Sequence, residues 1–202
     1  MEALQKLLTN ELQDLYDAEQ QLVKAIPKMI EAANSSELQE ALKEHLSVTQ
    51  NQVTRLEEIF SELGEKAQKK PCKGMAGIIA EGEELLKEDF EESTKDAGII
   101  GAAQKVEHYE IASYGTARTL AEFLGHQRAA ELLEQTLEEE KEADKLLTQI
   151  AESSINSEAS EEEEETGDQR GGNGRTRASS PSKSKSRTQR SRTQRSRTKA
   201  GR

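Results

Sequence analysis

The chain has 202 residues and a formal net charge of -11; 33% of its residues are hydrophobic, 3% are aromatic and 33% are charged. This length allows one domain with a tail, or two small domains, and so few aromatic residues exclude nearly every all-β fold. No apolar run approaches the roughly 20 residues that cross a bilayer, and no signal peptide is evident. The single cysteine, Cys72, excludes an intrachain disulfide and a cysteine-rich zinc cluster. We therefore expect a soluble cytoplasmic protein with a helical core.

Apolar residues recur at helical spacing from the start of the chain. The first predicted helix spans about 2–33 and contains Pro27, where we expect a kink rather than a stop because the apolar pattern continues beyond it. Polar residues at 34–36 supply an N-cap for a second helix over about 37–64. Gly64 suits the left-handed conformation that ends a helix.

Three further helices are predicted after a loop that contains lysine and proline. A short helix covers about 75–92, a third long helix about 96–124 and a fourth about 127–152. Two tightly joined pairs of long helices, separated by a connection of about 30 residues, are typical of a four-helix bundle with one crossover. The predicted fold is therefore all-α, with a folded domain over residues 1–155.

The remaining residues, 156–202, are predicted to form a disordered tail. Residues 1–156 hold 16 basic and 32 acidic side chains (net -16), 157–166 hold six glutamates (net -6), and 167–202 hold 12 basic and one acidic (net +11), which together give -11. The tail contains a glutamate run at 161–165 and then tandem SRTQR repeats, with too little apolar surface to fold. The basic segment predicts weak, salt-dependent nucleic-acid binding without base readout. In the alternative interpretation the basic segment stays solvated, or its charge is neutralised by the acidic domain and the glutamate run at 161–165.

Each long helix carries polar residues in the middle of its predicted buried stripe, where the alternating spacing of four and three residues otherwise finds apolar side chains. These residues are, in chain order, Glu19, His45, Thr49, Gln52, Glu107, Glu110, Glu140 and Asp144. All four helices therefore place an acid or a histidine near the same level of the bundle.

Buried carboxylates that face one another are costly unless a proton or a cation lies between them. An oxygen-rich set with one imidazole suits two iron or two manganese ions better than zinc. The pattern predicts a dinuclear centre with the ligands Glu19, His45, Glu107, Glu110, Glu140 and Asp144. In the alternative interpretation each glutamate leans out to solvent at the edge of the bundle. The occurrence of the same pattern in all four helices argues against this alternative.

Other polar or reactive residues receive plainer interpretations. Thr49 and Gln52 are candidate hydrogen-bond partners of the ligands. His108 is interpreted as a surface or neighbouring residue, and His126 lies in the turn between the last two helices. Tyr114 is expected to pack in the core, with contact to the site as the alternative, and Cys72 is expected at a core edge, with redox activity as the alternative if it is exposed.

Three segments carry a resemblance to a known family: DLYDAEQQL at 14–22, AAQKVEHYEIASYG at 102–115 and TLEEEKEAD at 136–144. Over about residues 3–155 the chain resembles the YciE/YciF family of bacterial ferritin-like proteins. The resemblance implies a ferritin-like bundle with an extra crossover helix, a homodimer, a rubrerythrin-like ligand arrangement and an association with stress responses, without an assigned reaction.

The resemblance implies these metal ligands: Glu19, the pair Glu107 and Glu110, and the pair Glu140 and Asp144. The chain departs from a ferritin-like site in two places. The second helix has His45-Leu-Ser-Val-Thr49 where Glu-x-x-His is usual, and Asp144 stands where a rubrerythrin-like site has histidine. Both departures bear on whether two metal positions fill equally.

Two functions follow as hypotheses. The first is a di-iron or di-manganese oxidoreductase that oxidises Fe(II) or consumes peroxide or oxygen; because the chain lacks Cys-x-x-Cys pairs, it would need an external electron donor. The second is a non-enzymatic dimeric stress protein whose metal is structural or absent and whose tail contacts nucleic acid.

Overall fold

The computed structural model describes residues 1–161, a stretch that contains helices and no strand. The helices are α1 (Glu2–Ala32), α2 (Ser36–Glu62), α3 (Lys73–Leu85), α4 (Glu92–Phe123) and α5 (Gln127–Ile150). A π-helical turn over Ala151–Ile155 and a helical segment over residues 156–161 follow α5. The all-α prediction is confirmed. The predicted tail lies beyond the described residues, apart from its first six positions.

The four long helices form a closed ring. Helix α1 packs along α2 and α4 packs along α5, while α2 also contacts α5 and α1 contacts α4. The connection between α2 and α4 carries α3, which packs on α4 and α1. This arrangement confirms the predicted four-helix bundle with one crossover. None of the described helices combines the length and the apolar character needed to cross a membrane, and the expected cytoplasmic location stays a prediction.

Helix ends follow the local signals in the sequence. Gly64 has φ of 69°, and the N–H of Glu65 donates to the carbonyl of Phe60 at 2.9 Å, the pattern of a glycine-terminated helix. Gly125, with φ of 83°, ends α4 in the same way. Helix α1 runs through Pro27 without stopping, as predicted.

The boundaries of the crossover differ from the predicted ones. Helix α3 begins after Cys72, whose Sγ accepts the N–H of Met75 at 3.3 Å, and it ends at Leu85 rather than near residue 92. Helix α4 then begins at Glu92 instead of residue 96. The last helical stretch also passes the predicted end at residue 152, because Ile155 is buried against the core.

Two apolar clusters fill the bundle, one toward each end. The first contains, among others, Leu22, Ile26, Leu38, Leu42, Met75, Ile99, Leu147 and Ile150. The second contains, among others, Leu8, Leu12, Leu15, Leu56, Phe60, Tyr114, Leu133 and Leu137. Each long helix contributes to both clusters. A layer of polar side chains therefore lies between them at the middle of the bundle.

A buried aspartate at the start of α4 holds the turn between α1 and α2. Asp96 is 2% exposed, and its carboxylate accepts the backbone N–H of Asn34 at 2.8 Å and of Ser35 at 2.7 Å. Ser35 in turn accepts the N–H of Leu38 as the N-cap of α2. Asp96 thus ties the α1–α2 pair to the α4–α5 pair through charge-assisted hydrogen bonds.

We expect Asp96→Ala to lower the free energy of unfolding by about 2 to 4 kcal/mol, since two hydrogen bonds from backbone N–H groups to a buried carboxylate would be lost. Urea denaturation followed by circular dichroism measures the change. Asp89→Ala, at an exposed position in the loop before α4, is the matched control and should shift stability by less than about 0.5 kcal/mol. Equal effects of the two substitutions would contradict this role.

Candidate metal centre

The polar layer is built from four glutamates, one or two from each of three helices. Glu19, Glu107, Glu110 and Glu140 are each at most 1% exposed. Glu107 and Glu110 are three residues apart on α4 and so share one helix face. The helical stripe that buries Leu15 and Leu22 on α1 also buries Glu19. None of the four leans out to solvent, so the alternative interpretation at the sequence level does not describe this structure.

Four side chains of this layer converge on one point. One potential ligand atom from each of His45, Glu107, Glu110 and Glu140 lies within 4.8 Å of the other three. His45 Nε2 and Glu107 Oε1 are 3.3 Å apart, without the geometry of a hydrogen bond. The structure thus brings together four of the six side chains that the sequence singles out as ligands, and we name this set the donor cluster.

Glu19 lies beside the donor cluster. Its carboxylate accepts a hydrogen bond from the hydroxyl of Tyr114, which is fully buried. Glu19 and Glu110 form one pair of neighbouring carboxylates, in which the charge of Glu19 raises the pKa of Glu110. Glu107 and Glu140 form a second such carboxylate pair. Each pair requires a proton or a cation between its oxygens.

Asp144 lies outside the donor cluster. Its side chain is 25% exposed, it accepts a hydrogen bond from Gln104 Nε2 at 3.0 Å, and it lies 3.3 Å from the exposed His108. Asp144 is one turn beyond Glu140, where the stripe turns toward the bundle edge. Its charge still reaches Glu107.

A hydrogen-bond network orients the donor cluster from the α2 and α5 side. The amide of Gln52 donates to Glu140 and also, at 3.2 Å, to Glu139. Arg55 makes a two-pronged contact with Glu139 at 2.7 and 2.9 Å and donates to Thr136 at 2.6 Å. Gln52 is therefore a hydrogen-bond partner of the site, as the sequence predicts. Arg55 has no place in the sequence interpretation, although the spacing of three residues between Gln52 and Arg55 was a usable signal.

The remaining candidate residues lie outside the donor cluster. Thr49 donates to the carbonyl of His45 at 2.9 Å. Cys72 is 1% exposed and its Sγ lies 3.0 Å from the hydroxyl of Tyr109, so it is the expected core-edge residue. His126 contacts Gln5 in the turn between α4 and α5.

The pKa values of the polar layer are shifted because its buried carboxylates have too few cations near them. Burial, and then the charge of neighbouring carboxylates, raises the pKa of Glu19, Glu107 and Glu110 well above the usual range. Burial lowers the pKa of His45, so the neutral imidazole is favoured at neutral pH. Partial burial alone would raise the pKa of Glu139, but the hydrogen bonds from Arg55 and its neighbours outweigh it and lower that pKa.

Five buried atoms of Glu19 and the donor cluster have no hydrogen-bond partner within the described chain: Glu19 Oε2, His45 Nε2, Glu107 Oε2, Glu110 Oε1 and Glu140 Oε2. Gln52 Oε1, beside them, is a sixth. Such atoms are uncommon in folded proteins and call for an ion or another partner. They come from four helices and are mostly carboxylate oxygens with one imidazole nitrogen. This donor set fits iron or manganese by its chemistry.

The chain is similar to a known protein family and to one of its curated members. The family described as Domain of unknown function (DUF892) matches residues 3–160. The chain belongs to this family. It is also 42% identical over 160 residues to protein YciF of Escherichia coli strain K12, a match that covers 79% of this chain and 96% of YciF. The resemblance to YciE/YciF proteins is thus confirmed.

Solved structures show the same fold. The crystal structure of the E. coli stress protein YciF matches with a TM-score of 0.74 at 41% identity, covering 77% of this chain and 99% of that one. YcfI of Rhodopseudomonas palustris, described as a proposed structural protein, matches with a TM-score of 0.71 at 43% identity, covering 72% and 92%. A Xanthomonas campestris protein at 20% identity, with a TM-score of 0.63, supports the fold alone. The ferritin-like fold expected from the sequence is confirmed.

In the absence of metal we expect stability to fall as the pH rises. Glu19, Glu107 and Glu110 have folded-state pKa values above the unfolded value of 4.5, so above pH 4.5 the folded state holds more protons than the unfolded state. Their stabilising contribution is complete below pH 4.5 and is lost as the pH rises through the folded pKa. The lowered pKa of His45 acts in the opposite direction, because its contribution is lost as the pH falls below 6.5.

Thermal unfolding in chelator at pH 5.5 and pH 8 measures this effect. Glu110→Gln should reduce the pH-dependent loss in Tm, by about 5 °C, since it removes one of the three carboxyls and leaves His45 in place. Glu88→Gln, exposed in the loop before α4, should leave the loss unchanged. The same pH response in the Glu110 variant and the native chain would contradict the assignment.

Proposed function

We propose that the protein is a ferritin-like stress protein with a dinuclear iron or manganese centre that oxidises Fe(II) or reduces peroxide or dioxygen. The observation that carries this proposal is the set of five unpartnered buried polar atoms supplied by four helices. The charge of Arg55 acts on Glu19, but Arg55 is already paired with Glu139. A bound cation would supply the missing positive charge.

The ligand roles follow from the two carboxylate pairs. Glu107 and Glu140, with His45, would hold one ion, and Glu19 with Glu110 would hold the other. The proposed ligands thus include Glu19 with the donor cluster, and Asp144 would act only through its charge on Glu107. A glutamate-rich set with a single imidazole favours hard, oxygen-preferring ions.

The surrounding residues would position the ligands for turnover. When bound, a pair of redox-active ions would supply the electron transfer. Gln52 fixes the Glu140 carboxylate by donating its amide, and the clamp of Arg55 on Glu139 holds α2 against α5 beside it. Tyr114 holds one oxygen of Glu19 and leaves the other free for a ligand role. With a single cysteine in the chain, reducing equivalents would come from a separate donor.

A structural role for the metal is the second candidate. It is favoured by the position of the site, since the polar layer joins the two apolar clusters and a cation there would hold all four helices. The description of YcfI as a proposed structural protein points the same way for that relative. In this case metal would raise Tm without supporting turnover. The expected homodimer stays a prediction in either case.

Metal analysis of the full chain, purified without a metal-binding tag and loaded anaerobically with Fe(II), tests the proposal. We expect about two ions per chain, and we expect Glu110→Gln to retain less than half of them because it removes a charged ligand. Oxidation of added Fe(II), or consumption of peroxide, should fall at least tenfold in the same variant.

Glu138→Gln is the matched control, since Glu138 is exposed on α5 and pairs with Lys141. It should keep the native metal content and rate. No bound metal in the native chain would refute the dinuclear centre. Bound metal that raises Tm but supports no turnover would favour the structural role.

The basic segment is the basis of a separate proposal. Its net charge of +11 over residues 167–202 would attract nucleic-acid phosphates without reading bases. We expect the full chain to bind duplex DNA weakly, with affinity falling at least about tenfold between 50 and 200 mM salt. A chain that ends at residue 166 should lose this binding in fluorescence anisotropy. Equal affinity with and without the segment would contradict the proposal.

A further inference from the structure

A pocket of about 190 Å³ lies between α2 and α5 and extends inward to the donor cluster. Most of its lining is apolar: Ala41, Leu42, Val48, Ala143, Leu146 and Leu147. His45 and Glu107 belong both to this lining and to the donor cluster. The pocket is therefore a route from the surface to the proposed metal centre.

The volume of the pocket limits what it can hold. Small-molecule sites are usually larger, at about 300 to 1,000 Å³, whereas an apolar cavity of about 150 Å³ accommodates benzene. A molecule with about seven or eight heavy atoms and an apolar body would fill this space. Dioxygen or peroxide alone would leave most of the apolar wall uncovered.

The charges around the pocket restrict the ligand further. Glu44 and Glu142 line it at exposed positions, Glu139 is already paired with Arg55, and no lysine or arginine is among its described lining residues. An anion would meet these carboxylates without a compensating cation. A neutral molecule would meet no such barrier, and a cation would be attracted.

We propose that this pocket binds a small neutral or cationic organic molecule with an apolar body, about the size of a substituted benzene ring, and excludes small anions. The binding stands on the pocket alone. That the bound molecule is a substrate, reaching the donor cluster at His45 and Glu107, rests on the proposed function.

Three probes of nearly equal size but different charge test the proposal: benzylamine, benzyl alcohol and benzoate. Each is titrated against the full chain as purified, and again after chelation, by ligand-observed NMR. We expect saturable binding of benzylamine and benzyl alcohol below about 20 mM, and at least tenfold weaker binding of benzoate. Methyl resonances of Val48 and Leu147 in the chelated protein should shift with the first two probes.

Pocket-filling variants locate the binding. Ala143→Phe and Val48→Phe introduce a ring from opposite walls, and each should weaken benzylamine at least tenfold while metal content stays native. Ala112→Phe places the same ring at an exposed position of α4 outside the pocket and should change nothing. Glu44→Gln combined with Glu142→Gln should reduce the preference for benzylamine over benzoate and leave benzyl alcohol unaffected.

Three results would overturn the proposal: no saturable binding of any probe, benzoate binding as tight as that of benzylamine, or binding that both pocket-filling variants retain. Its failure is distinguishable from failure of the proposed function. A chain that binds benzylamine but no metal would refute the dinuclear centre and leave the pocket intact. A chain that binds metal but no probe would do the reverse.

Discussion

The structure depends on the burial of four carboxyl groups at the middle of a helical bundle. Placing an unpaired carboxylate in an apolar interior costs several kcal/mol, and carboxylates that face each other add repulsion. Glu19, Glu107, Glu110 and Glu140 nevertheless lie where two apolar clusters meet. A fold selected only for stability would place leucine there. Retaining glutamates at this level is explicable if the bundle exists to hold a charged ligand.

The apolar clusters supply the stability that this layer costs. Leucine and isoleucine side chains above and below it are almost fully buried, and each such side chain contributes about 1.5 to 3 kcal/mol. Asp96 adds a polar tie between helix pairs by capping the α1–α2 turn. The ring of four helices is thus fixed at both ends, so the carboxyl groups in the middle are held in place before any ion binds. Such preorganisation favours tight and selective binding.

Helical periodicity made most of this arrangement predictable. Glu19 and Glu140 each interrupt a regular run of apolar residues, so burial of the neighbours implies burial of the glutamate. Asp144 shows the limit of that argument, because one turn along α5 the stripe already reaches the bundle edge and only the packing of α4 decides the exposure. Arg55 and Glu139 also lie at the stripe edge, and their pairing depends on how α2 and α5 approach each other. The end of α3 was missed because no glycine or proline marks it after Leu85.

The proposed centre is asymmetric, because one side is enclosed by the core and the other side opens to a pocket. On one side Glu19 is closed off by the buried Tyr114, which belongs to an apolar cluster. On the other side His45 and Glu107 reach the pocket between α2 and α5. His45 is the one nitrogen donor in the donor cluster, and it lies on the side that opens to the pocket. The residues on the two sides of the proposed centre therefore differ in access, since Glu19 is enclosed whereas His45 and Glu107 are open to the pocket. A molecule that enters from the pocket would therefore meet His45 and Glu107 before it meets Glu19.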